Sequence, residues 1–427
     1  MKDHRMKFYP GMSFAWVPSN ESFWTPLQDA VNRFKIRFSY ASLGDQSFTS
    51  DYYPFYPGLG NNAPTGTNWI FSSGRESQFY SPGLVNYDLT WITTSSIGFG
   101  VDLTFLRNRL NLSFDYYKRY AKDFAGPGDA IPALLGVGAP LINNAEIETT
   151  GFEITLGWRD KIGNVSYGIS GVLSDYVGKV TKYNNPTKLI ANTLYDGMTM
   201  GEIWGYETVG LFKDQAEIST TNQSYLNANW YVGDVHYKDR DGDGKLGIGD
   251  NTVDNPGDRM VIGNNTPRYN FGLNLNAEWK GIDFTAFFQG VGKRDVVFNG
   301  DQNFFWGFTG NEWQSGYFTV HTDRWTENNP NGYFPRAYFG NNKNKQTQTR
   351  YMQNAAYLRF KNMQIGYTLP KALTGKIDVQ KVRLFMNAEN LLTFTKLIKI
   401  MDPEIVNSEA KVYPLQRTWA FGINITL

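Results

Sequence analysis

The feature that most constrains this chain is a side-chain alternation of period two that returns along its whole length. It is clearest from Arg417 to Leu427. There Trp419, Phe421, Ile423, Ile425 and Leu427 fall on one face, and Thr418, Ala420, Gly422, Asn424 and Thr426 fall on the other. Only an extended strand puts every second residue on the same side. A strand with one apolar and one small, polar face separates oil from water, either as the wall of a membrane barrel or as one layer of a soluble sandwich.

The same pattern marks ten further stretches. A first strand lies within Lys7 to Val17, interrupted by Pro10 and Gly11, and Ser22 to Asn32 reads as a short helical turn. Then Phe34, Ile36, Phe38 and Tyr40 alternate with Arg33, Lys35, Arg37 and Ser39. Four hairpins follow. Ile97 to Phe105 turns at Arg107 and Asn108 into Leu110 to Tyr116, and Glu153 to Trp158 turns at Lys161 to Asn164 into Val165 to Leu173. Tyr269 to Trp279 turns at Lys280 and Gly281 into Ile282 to Phe288, and Met363 to Leu369 passes Pro370 to Lys376 into Val382 to Ala388. With the closing strand these make about eleven.

The connections sort by length. Those at Arg107, Lys161, Lys280 and Pro370 are short, and those beginning near Leu43, Ala125, Tyr183, Val291 and Thr395 are long. Short turns at one rim and long loops at the other are the pattern of an outer-membrane barrel. A sandwich has little reason to keep its long loops at one end, so the barrel is preferred. The alternation leaves the C-terminus at the short-turn, periplasmic rim. Trp158, Trp279, Trp419, Tyr40 and Tyr116 lie near strand ends on the apolar face, where amphipathic rings mark the headgroup level. One such ring in a sheet would be unremarked; it is the repetition that carries weight.

Composition narrows the function classes. With 41 basic against 40 acidic residues the net charge is +1, which gives no electrostatic footprint for nucleic acid. Cysteine is absent, so a disulfide framework, thiolate metal sites and a cysteine nucleophile are excluded. No run approaches the ~18 apolar residues of a membrane helix. The mean hydropathy of −0.43 remains compatible with barrel strands, which show lipid only every second residue. The first residues, MKDHRMKFYPGMSFAW, lack the apolar core and cleavage site of a signal peptide.

Seven stretches in order, RLNLSFDYYKRYAKD, NNAEIETTGFEITLGW, GEIWGYETVGLF, HYKDRDGDGKLGIGD, YLRFKNMQIGYTLP, VRLFMNAENLLTFTK and DPE with YPLQRTWAFGINITL, resemble the C-terminal part of SusC/RagA-type TonB-dependent outer-membrane transporters. The resemblance implies an all-β, antiparallel transmembrane barrel portion, residues 1–427 being about 11 strands of a 22-stranded barrel with long extracellular loops, and with the plug domain and signal peptide absent. It implies import of glycans, oligosaccharides or peptides across the outer membrane of a Gram-negative, Bacteroidetes-like cell. The implied partners are a SusD-like surface lipoprotein acting as lid, outer-membrane lipid, and the TonB complex reached through the missing N-terminal part. Half a barrel has two open edges, so the chain alone is not expected to insert. Family members tend to end in an aromatic residue; this sequence ends in Leu427.

The sharpest local motif is Asp239 to Asp250, DRDGDGKLGIGD. Asp239, Asp241 and Asp243 stand at positions 1, 3 and 5 of a twelve-residue calcium loop, Gly244 at 6, Lys245 at 7 with its backbone carbonyl, and Asp250 at 12. This predicts a structural Ca²⁺ site, against the alternative of an Asp/Gly-rich surface turn. Phe304, Phe305, Trp306, Phe308, Trp313 and Tyr317 are expected to pack a long loop on itself, with a sugar-stacking platform as the alternative. No catalytic residue is assigned. His4, His236 and His321 are scattered, no nucleophile elbow is present, and Glu146, Glu148 and Glu153 sit at a strand entry. The function expected is therefore transport without enzymatic activity, the rival being a surface binding or adhesion β-protein.

Overall fold

The computed structural model describes residues 6–45, 56–58, 60–62, 72, 74, 78–80, 82–191, 193–298, 305–307, 316–377, 379–406, 413 and 415–427. Its main element is an eleven-stranded sheet in which each strand pairs antiparallel with the next along the chain. The strands are β1 (Gly11–Trp16), β2 (Val31–Asp45), β3 (Ile92–Phe105), β4 (Leu110–Pro127), β5 (Leu141–Ile162), β6 (Val165–Lys182), β7 (Arg268–Trp279), β8 (Ile282–Lys293), β9 (Tyr357–Thr368), β10 (Lys381–Thr395) and β11 (Thr418–Thr426). All eleven expected strands are present, with the expected turns between them. Several run further than the alternation indicated: β5 begins at Leu141 and β6 ends at Lys182. Beyond a lipid band both faces of a strand meet water, so the two-residue signal fades while the backbone ladder continues.

Among the described residues no protein layer lies against the sheet's apolar face. Phe421, Ile423 and Ile425 of β11 are 79%, 62% and 60% exposed, and Phe99, Leu156, Ile169, Leu273, Ile365 and Leu384 on other strands are exposed too. A soluble sandwich buries this face against a second sheet. A row of large apolar side chains left open along successive strands matches a lipid-facing surface. Near the short turns the face carries Trp158, Tyr167, Trp279 and Tyr367, with the Trp158 indole N–H donating to the Tyr167 hydroxyl at 3.3 Å. Toward the long loops the same face turns polar. Lys118 Nζ lies 2.8 Å from Glu148 Oε1, eight residues along β4 from Leu110, or about 26 Å of strand.

The opposite face is held by cross-strand ion pairs. Arg37 donates through Nε and Nη2 to Asp102 at 3.0 and 2.9 Å, and its Nη1 lies 2.8 Å from Asp115 Oδ1. Gly100 stands between Arg37 and Asp115 in register, and a Cβ there would come within 2.7 Å of the guanidinium carbon and 2.5 Å of Asp115 Oδ1. Gly366 repeats the device between Asp283 and Arg383, where a Cβ would sit 2.5 Å from Arg383 Nη2. In both places the missing side chain lets a fork reach across a neighbouring strand.

The largest buried apolar cluster lies in the long connections and not between the strands. Tyr206, Val235, Tyr237, Leu246, Phe298, Phe305, Trp306, Phe334, Tyr351, Leu397 and Met401 form it, drawn from the connections after β6, β8 and β10. Two small ribbons stiffen the first of these connections, Glu202–Tyr206 with Arg259–Asn264 and Thr208–Leu211 with Val235–Tyr237. Phe305 and Trp306 are buried and Tyr317 exposed, while Phe304, Phe308 and Trp313 lie outside the described residues. The packing expectation thus holds for the two residues inside the cluster.

The loop assembly is fastened to the sheet at Arg359 of β9, whose side chain is 1% exposed. Its guanidinium meets Asp402 and Glu404 of the last connection and donates to Thr393 Oγ1 of β10 at 2.9 Å. Lys361 adds a contact to Glu404 at 2.8 Å. The two-faced sheet makes a test available on adjacent residues of β5. In lipid, Ile154→Lys is expected to lower unfolding free energy by about 2–4 kcal/mol and Thr155→Lys by well under half of that. Denaturant titration of the assembled barrel would measure both, and equal effects would contradict the two-solvent assignment.

Candidate functional site

Two features of the long-loop end invite a functional reading. The first is the acidic turn. Asp239 accepts backbone N–H bonds from Gly242 at 2.7 Å and Gly244 at 2.8 Å, Asp241 accepts from Asp243 N at 3.2 Å, and Asp243 accepts from Lys245 N at 2.7 Å. These are Asx-type turns, in which short carboxylates satisfy the N–H groups of a tight loop. Asp239 and Asp241 come together with Asp258, their carboxylate oxygens lying within 4.8 Å of one another. Asp243 and Asp250 are not in this group; Asp250 accepts from the Asn255 amide at 2.9 Å instead.

Asp258 lies beyond the twelve-residue window, so the spacing pattern could not include it. It is fully buried and accepts from Arg240 N and Gly247 N, both at 2.6 Å, thereby clamping the two ends of the acidic turn. Burial pushes its pKa above the ordinary carboxylate value, the backbone donors of Arg240, Gly247 and Asp241 oppose that, and the Asp241 charge adds to it. Three acidic groups at one point, one of them desolvated, leave an excess of negative charge that a bound cation would relieve. Leu246, inside the turn, is anchored in the loop core, and its N–H donates to the Asn222 carbonyl at 2.8 Å.

The second feature is a cavity of about 970 Å³ walled by the connections that follow β6, β8 and β10. Its lining includes Tyr195, Glu202, Trp204, Arg259, Arg294, Val296 and Val406. The Tyr195 hydroxyl donates to Glu202 and accepts from the Trp204 indole at 3.3 Å, and Thr199 N donates to Glu202 at 2.8 Å. Burial first, then the Glu202 bond, pushes the Tyr195 pKa up to about 12, so it stays a donor. Arg259 is held through Nη2 by Asn251 Oδ1 at 2.6 Å. Volume, aromatic wall and a few fixed polar groups suit a small oligomeric solute. Sequence reading could not find this site, because its lining comes from three separate connections, spread along the chain from Tyr183 to Val406.

The histidines and glutamates considered for catalysis have structural surroundings. His321 Nδ1 accepts from Phe318 N at 3.0 Å and its Nε2 lies 3.0 Å from the Phe305 carbonyl, inside the loop core. His236 stacks on Phe212 at 4.6 Å, and burial lowers its pKa. His4 lies outside the described residues. Glu148 and Glu153 are five residues apart on β5 and so face opposite sides.

No family model matches the chain. Among curated proteins it is similar to TonB-dependent receptor P3 of Formosa agariphila, 26% identical over 461 residues, covering 99% of this chain and 42% of that protein. TonB-dependent receptor P26 of the same organism is 26% identical, with 99% and 43% covered. Among solved structures, the RagAB peptide transporter superposes with a TM-score of 0.74 at 20% identity, covering 99% of this chain and 44% of that one. The RagAB peptide importer in its closed-closed state gives 0.72 at 20%. These likenesses agree with the SusC/RagA-type resemblance read from the sequence, and the fold is that of a TonB-dependent transporter barrel. The chain spans about two fifths of the length of the curated relatives it matches.

Proposed function

We infer that this chain forms the C-terminal part of the wall, and the extracellular loops, of a TonB-dependent outer-membrane importer for oligosaccharides or peptides. The observation that supports this most is the open apolar face of an eleven-stranded antiparallel sheet whose long connections pack into one folded mass at a single rim. Among the described residues β1 and β11 each have one neighbour. In hydrocarbon each unpaired N–H or C=O costs several kcal/mol, so further strands must cover both edges. The peptide named for RagAB and the receptors' likeness support import; the mass of loops around the cavity supports capture of a solute before it crosses. A SusD-like lipoprotein acts as lid on the loop side, and TonB delivers energy through the part of the barrel that holds the plug.

In cells producing the protein, uptake of labelled oligosaccharides or peptides is expected to fall to background both on deletion of its gene and on collapse of the proton-motive force. Uptake of both solute classes unchanged by gene deletion would contradict the importer reading.

The acidic turn serves this function as a structural calcium site held by Asp239, Asp241 and Asp258, a donor set of hard oxygens. Calcium would neutralise the charge excess and stiffen the connection between β6 and β7. Calcium titration of the purified protein is expected to raise its thermal midpoint, and Asp241→Ala is expected to abolish that rise. Since Asp241 accepts only one backbone bond among the described residues, the variant should keep its fold. An equal rise in parent and variant would contradict the site.

A further inference from the structure

The chain shows how it satisfies a guanidinium. Arg37, Arg268 and Arg383 each present the Nε/Nη2 edge to a carboxylate, at Asp102, Asp175 and Asp283 respectively. Arg359, the most deeply buried, meets two carboxylates. Such pairing is the rule for guanidinium groups taken out of water.

Arg294 departs from that rule. It follows directly on the end of β8, at the long-loop rim, and lines the 970 Å³ cavity. Its Nε is buried and has no hydrogen-bond partner among the described residues, and its Nη2 reaches only the Val406 carbonyl, at 3.4 Å. No carboxylate pairs with it among the described residues. The other charges on the cavity wall are engaged: Glu202 by Tyr195 and Thr199 N, and Arg259 by Asn251. The backbone at Arg294 is fixed, its carbonyl accepting from Ala355 N at 2.8 Å. The group is therefore positioned, charged and unanswered, beside an aromatic wall of Trp204 and Tyr195.

Resting on the importer reading above, we propose that Arg294 is the anion-recognising residue of the cavity, binding a carboxylate of the incoming solute through its Nε/Nη2 edge. The carboxylate takes the place of the Val406 carbonyl and completes the two-point pairing that Arg37, Arg268 and Arg383 make within the chain. Trp204 and the apolar side chains of Val296 and Val406 receive the body of the solute. Both a peptide and a uronic-acid oligosaccharide carry such a group, and the two sources are separated by the test.

The complete barrel containing this chain, in outer-membrane vesicles, is offered two probe mixtures: a peptic digest of casein and a partial hydrolysate of pectin. Each is used before and after its carboxylates are converted to amides. For the mixture that is the solute source, amidation is expected to lower binding at least about ten-fold, as loss of a two-point charged pair would. Arg294→Gln is expected to bind the untreated mixture as weakly as the parent binds the amidated one, and Arg294→Lys to recover part of the difference. Heat-modifiable mobility of each variant confirms that the barrel is assembled. Equal binding of untreated and amidated probes by the parent, or a full amidation effect retained in Arg294→Gln, overturns the role of Arg294 while leaving the importer reading intact. Failure of the assembled parent to bind either untreated mixture overturns both.

Discussion

Everything in this structure depends on one face of the sheet that no other described residues cover. Eleven strands carry large apolar side chains on that face, and on β11 they are more than half exposed. In water such a surface would collapse onto a second layer or aggregate. In a bilayer it needs no partner layer, because the lipid is the other half of the core. On the importer reading the membrane determines which backbone is permitted: every strand must pair, so further strands are expected beside β1 and β11.

On the importer reading the protein has two cores in two solvents. The sheet is held by its backbone ladder, by glycine-spaced ion pairs on one side, at Arg37 with Asp102 and Asp115 and at Arg383 with Asp283, and on that reading by lipid on the other. The loops have an ordinary water-excluding core of aromatic rings, with Phe305 packed against Phe298 at 5.0 Å and against Trp306 at 5.0 Å. Arg359 joins the two, its guanidinium rooted in β9 and its partners Asp402 and Glu404 in the last connection. Removing one side of such a buried network leaves uncompensated charge, at a cost of about 3–5 kcal/mol. This fastening ties to the sheet the connection that carries Val406 into the cavity wall.

The sheet could be read from the sequence because its physics is local. A two-residue period, tight turns such as Lys280–Gly281 and long connections at alternate ends are all visible without knowing what touches what. Strand ends were legible only as far as the lipid band, so the extensions of β5 to Leu141 and of β6 to Lys182 were missed. The site was less legible because it is assembled from distant segments. Asp239 and Asp241 belong to a recognisable spacing, but the third carboxylate of their cluster, Asp258, is set by the fold of the following turn. Gly100 looks like any small residue on a polar face until Arg37 and Asp115 are placed on either side of it. Nothing in the sequence separates Arg294 from the arginines that have carboxylate partners.

The two faces of one sheet are expected to see lipid and water. This chain has no cysteine, so a single introduced thiol carries a spin label to one position of it. Labels placed one at a time from Phe152 to Gly157 on β5 of the assembled barrel in lipid report collisions with oxygen and with a water-soluble nickel complex. Oxygen contact is expected to be highest at Phe152, Ile154 and Leu156, nickel contact highest at Glu153, Thr155 and Gly157, and the two profiles out of phase. Profiles that rise and fall together, or a face at Phe152, Ile154 and Leu156 closed to both reagents, would contradict it.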